Sequence, residues 1–185
     1  MRNKNLQRIN ALTLSAMLVA LSVTIAYICK IVPILNLGTG LRVTFENLPI
    51  ILAGVMYGPI VGACVGAASD IISSLLTAQD ISLLITFGAM TIGAIAGLCS
   101  RILSSKSMMI RFVVAEIFSQ IVGSVIIKTI ALQIRFRFGP ILFFRIPIYI
   151  AIIIVECILF SALYRSSPLK KMIDKSAAEK KHELY

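Results

Sequence analysis

The chain has 185 residues, 58% of them hydrophobic and 14% charged, with a mean hydropathy of +0.96 and a formal net charge of +10. These values mark an integral membrane protein with several spans of about 20 residues and no room for a separate soluble domain. The basic residues sit at the ends of apolar runs, where they orient spans, which argues against nucleic acid as a partner.

Arg2, Lys4 and Arg8 precede an apolar run over 11–32 that has no convincing small-residue cleavage site and reads as a retained first span. Further apolar runs cover 48–57, 60–78, 82–103, 112–133 and 146–164. Read as one helix, 45–78 would be roughly 50 Å long, too long for a hydrocarbon core of about 30 Å, and Gly58-Pro59 supplies the break. The runs are long and rich in Leu, Ile, Ala and Gly, unlike the alternating segments of a membrane β-barrel. The expected fold is an all-α membrane protein, a compact bundle of six transmembrane helices forming one domain over 1–185. Both ends are expected in the cytoplasm, with 1–10 before the first span and 166–185 as a basic tail. Twelve of the 18 Lys and Arg then fall inside; Lys30, Arg42, Lys128, Arg135, Arg137 and Arg145 lie at or near the outside. Such an outer cluster of cations suits an anionic small molecule.

Within the spans, Asp70, Ser73, Ser74 and Thr77 share one helix face, and a carboxylate at that depth marks a functional site or a buried pair with Lys128. Glu116, Ser119, Gln120, Ser124 and Lys128 form a slanted stripe, each four-residue step overshooting a turn by about 40°. Glu116 reads as snorkelling to the inner surface near Arg111, and Gln120 and Lys128 read as site candidates. Arg145, Tyr149, Ile152 and Glu156 share a face of the last span, where Glu156 fits either a helix-tethering hydrogen bond or a ligand contact. Small residues at four-residue spacing predict close packing: Gly54, Gly58, Gly62 and Gly66; Ala89, Gly93 and Gly97; Ala115, Ser119 and Gly123. Ala16 and Ala20 on the first helix fit either the same role or a partner surface. The four cysteines form no CxxC pair and read as small apolar core residues. No nucleotide, metal or nucleophile motif is present, so no catalytic residue, metal or cofactor is expected.

The segment LRVTFENLPIILAGVMYGPIVGACVGAASDIISSLL, 41–76, together with Ala16-x-x-x-Ala20, resembles the substrate-binding S components of energy-coupling factor vitamin transporters, most closely the folate-specific branch. The resemblance implies a protein of the prokaryotic plasma membrane that captures a vitamin outside and works with a transmembrane T component and two cytoplasmic ABC ATPases. It also implies that the chain topples to release cargo, that the first loop gates the site, and that Ala16 and Ala20 pack against the T component. For folate, Asp70 or Glu46 would accept the pterin N–H donors and Asn47 would complete that edge. Arg42, Arg135 and Arg145 would hold the glutamate tail, and Phe45, Phe138, Phe143 and Phe144 offer stacking surfaces. The alternatives are another flat heterocycle, such as riboflavin or a queuosine precursor, and a membrane-embedded enzyme using Asp70, Glu116 and Glu156.

Overall fold

The computed structural model describes residues 2–31, 45–77, 82–136 and 141–165. Every regular element among them is helical: α1 Arg2–Ile31, α2 Asn47–Tyr57, α3 Pro59–Leu76, α4 Leu83–Ile102, α5 Met108–Ser119, a π-helical segment Gln120–Ile127, α6 Lys128–Phe136 and α7 Ile141–Arg165. The α5, π and α6 segments run on without interruption, so the expected fifth span is one rod with a widened middle. Five stretches are long and apolar enough to cross a membrane: Ile9–Cys29, Pro59–Leu76, Leu83–Ile102, Met108–Ala131 and Ile146–Arg165. Large apolar side chains stay exposed along them, among them Leu12, Ile60, Leu83, Ile102 and Ile158, as lipid-facing surfaces require.

The second expected span departs from the other five. With 11 residues α2 is only about 16 Å long, half the hydrocarbon thickness. Its residues from Asn47 to Met56 are all buried, so it is a central plug walled by α1, α3, α4 and α5 rather than a lipid-facing rod. Gly58 ends it at φ 100°, a backbone region that side chains rarely occupy, and Pro59 opens α3 where its missing N–H costs nothing. The chain reverses there, bringing Gly54 and Gly62 together.

The small-residue rows do what their spacing predicts. A methyl group on Gly62 or Gly93 would collide with the other helix's backbone, so α3 and α4 touch main chain to main chain. At the end of the bundle near Arg101, Phe112 stacks on Phe160 with centroids 3.7 Å apart, and Ser100 Oγ donates to the Val55 carbonyl. The cysteines are free; Cys29 is buried but Cys64 is exposed on α3, so the core reading does not hold for it.

Candidate functional site

Because α2 is half-length, its first residues lie inside the bundle rather than at its rim. Asn47 is 1% exposed and its amide nitrogen donates to Gln120 Oε1 at 3.1 Å and to Ser124 Oγ at 3.3 Å, near the middle of the span Met108–Ala131. Lys128 Nζ lies 3.6 Å from Glu46 Oε1 and 3.5 Å from Asn47 Oδ1. The ion pair thus joins Lys128 to Glu46, not to Asp70. Ser22 Oγ on α1 donates to the Glu46 carbonyl at 2.8 Å and ties down the entry to α2.

The π segment explains how Gln120, Ser124 and Lys128 come to face one way. In an α-helix a four-residue step overshoots a turn, whereas in the wider π pattern it falls short, so the drift built up from Glu116 to Gln120 is reversed across the π segment, and Gln120, Ser124 and Lys128 all reach Asn47. Glu116, Ser119, Gln120 and Ser124 are all fully buried. Glu116 therefore does not snorkel: its Oε1 accepts from Gln120 Nε2 at 3.0 Å, and the same nitrogen donates to Glu156 Oε2 at 2.9 Å. Its nearness to Arg111 in sequence is misleading, because Arg111 bonds Ser100 on α4 instead. Glu156 takes the helix-tethering alternative. Tyr149, Ile152 and Glu156 are buried together on α7, as their spacing predicts.

Beside this network a cleft opens between α1, α2, α3, α4 and α6, lined by Ser22, Ala26, Glu46, Ile50, Ser69, Asp70, Ser73, Ala89 and Lys128. Asp70 Oδ2 accepts from Thr86 Oγ1 on α4 at 2.6 Å; its Oδ1 makes no hydrogen bond among the described residues. Ser69 Oγ is buried without a hydrogen-bond partner among the described residues. The free space is about 10 Å³, room for about one water, so a bicyclic ligand enters only by parting a wall. Gly88 shapes that wall, for a methyl group there would fall 2.8 Å from Lys128 Cγ.

Of the residues singled out from sequence, Glu46, Asp70 and Lys128 line the cleft, while Asn47 and Gln120 lie in the network behind it. Phe45 is half-buried and not a cleft residue. Arg42, Phe138, Phe143 and Phe144 lie outside the described residues or side chains; Arg135 and Arg145 are on α6 and α7, with side chains outside the described set. Ala16 and Ala20 are exposed on α1. Sequence reasoning missed Ser22, Ser69 and Thr86. Thr86 belongs with Asp70 only through the α3–α4 approach, although a hydroxyl one turn into the helix after an intramembrane carboxylate is a usable signal.

No curated protein and no solved structure matches the chain. A family model described as ECF-type riboflavin transporter, S component, matches residues 6–166. That match takes in every described helix that contributes to the cleft. The chain belongs to the ECF-type riboflavin transporter S component family and is a substrate-binding subunit of a vitamin transporter, a multi-pass membrane protein rather than an enzyme.

Proposed function

We propose that the vitamin is folate, captured at the outer face of a prokaryotic plasma membrane and passed inward with a T component and two ABC ATPases. The observation that carries this reading is Asp70, an intramembrane carboxylate at the cleft with one oxygen held by Thr86 and no cation paired to it among the described residues. A carboxylate accepts two parallel hydrogen bonds, which suits the adjacent ring N–H and exocyclic amine of a pterin. Arg42, Arg135 and Arg145 are the proposed partners of the glutamate tail, and the gate is the segment that holds Arg42. In this topology both chain ends are cytoplasmic. The exposed Ala16 and Ala20 give a flat strip on α1 suited to close helix contact with the T component.

Riboflavin is the second reading, favoured by the description of the matching family model. Its ring edge carries one N–H between two carbonyls and so sets acceptors against a carboxylate. The Asn47–Gln120 amides would suit it better, but they are engaged with each other.

The test is to denature the purified protein, identify any released small molecule by mass spectrometry, and titrate folate, pteroate and riboflavin. Folate and pteroate should bind and riboflavin should not; tight riboflavin binding would overturn the assignment. Arg42→Ala should weaken folate about tenfold to a hundredfold and pteroate much less, because pteroate lacks the glutamate. Concentrative uptake should require the T component and ATPases. Bulky residues at Ala16 and Ala20 should abolish uptake and leave binding intact.

A further inference from the structure

Gln120 stands between two sets of partners that ask opposite things of its amide. Its nitrogen uses both hydrogens on carboxylates, Glu116 Oε1 at 3.0 Å and Glu156 Oε2 at 2.9 Å. Its oxygen accepts from Asn47 Nδ2 at 3.1 Å and Ser124 Oγ at 2.7 Å. Asn47 then turns its own oxygen to Lys128 Nζ, which faces Glu46 at the cleft.

The direction of this chain is set at its ends, since an ammonium group only donates and carboxylate oxygens accept. Turning the Gln120 amide over would put its N–H₂ against that of Asn47. Asn47 would have to turn as well, and would then present N–H₂ to the Lys128 ammonium. Each Glu commits one oxygen to Gln120, and the two carboxyl groups also lie within hydrogen-bonding reach of each other. Burying two adjoining carboxyl groups is a poor way to stabilise a core, where apolar residues of similar size would do as well or better.

We propose that Glu116 and Glu156 are positioning residues for the vitamin site: they clamp the Gln120 nitrogen and so orient Asn47 and Lys128 toward the cleft without touching the ligand. The inference rests on the cleft being that site. It makes α7, which contributes no cleft residue among the described side chains, a determinant of ligand affinity through a relay that crosses the bundle.

The experiment uses the full chain in nanodiscs with ¹⁵N-labelled asparagine. The Asn47 side-chain amide signals should move in Glu116→Leu/Glu156→Leu and stay in place in Glu116→Gln/Glu156→Gln, whose amide oxygens still accept from Gln120. Glu156→Leu alone serves if the leucine pair does not fold. In parallel, folate affinity should fall about tenfold in the leucine variant, stay within about threefold in the glutamine variant, and show no further fall from the leucine pair in a Gln120→Leu background. Unmoved Asn47 signals in the leucine variant would overturn the proposal. So would equal folate losses in both variants, or a leucine-pair loss that persists in full without Gln120. If the unaltered protein binds no folate, the folate reading fails by itself, and the Asn47 signals still decide whether the relay exists.

Discussion

Two polar clusters share this bundle and differ in how far their hydrogen bonds are completed. In the network of Asn47, Gln120 and Ser124, the side-chain amides and the hydroxyl find partners on neighbouring helices, and all three residues are buried. In the cleft a few ångströms away, among the described residues Asp70 has one engaged oxygen and Ser69 Oγ has no partner, and there is space for about one water. Completion of the first cluster rigidifies it, because a buried polar group released from its partner loses about 1–3 kcal/mol. Incompleteness of the second leaves hydrogen-bonding capacity for a ligand. Lys128 and Glu46 lie on the boundary, sharing an ion pair with the cleft and a hydrogen bond with Asn47.

The largest expected effect comes from removing the frame that holds both clusters. Gly93→Leu drives a side chain into the Gly62 backbone and should leave no folded protein on size-exclusion chromatography, because neither main chain can withdraw. Asn47→Leu attacks the completed cluster. It takes one partner each from Lys128 Nζ, which keeps Glu46, and from Gln120 Oε1, which keeps Ser124, and should destabilise the fold by about 2 kcal/mol, read as a lowered melting temperature in detergent.

Asp70→Asn attacks the open cluster and should show the reverse balance. Stability should change by less than about 1 kcal/mol, since Thr86 can still donate to the amide oxygen, while folate and pteroate affinity both fall about tenfold to a hundredfold. A melting temperature that drops as far as in Asn47→Leu would erase the distinction between the two clusters. The smallest effect is sought at Gly88→Ala, which presses on the Lys128 stem and should weaken folate binding about threefold without loss of fold. No change in binding would show that the position of Lys128 is not critical.

Much of this arrangement is legible in the chain. The break at Gly58-Pro59, the glycine rows, the buried face of Tyr149, Ile152 and Glu156, and the intramembrane setting of Asp70 all follow from spacing and residue type. Two features are not. The π segment has no distinct composition, so the stripe from Glu116 to Lys128 looks slanted when an α-helix is assumed. The 48–57 run looks like a span because its apolar length is cut by Gly58-Pro59 on one side only, and nothing in it says how deep its start lies. Glu46 and Asn47 therefore look like residues of the membrane rim, although they sit among Gln120, Ser124 and Lys128.

What the sequence determined by itself is the solvent of each segment: long apolar runs must be helical in lipid because every backbone N–H and C=O needs a partner within its own segment. It also determined which helices approach closely, because glycine at four-residue spacing admits backbone contact. Only the tertiary structure decided which polar groups meet. Thr86 reaches Asp70, and Gln120 joins Glu116, Glu156 and Asn47, through the register of neighbouring helices and the widened turn of the π segment. Such pairings depend on distances of about 3 Å between groups far apart in the chain, and the periodicity of a single helix carries no information about the register of another.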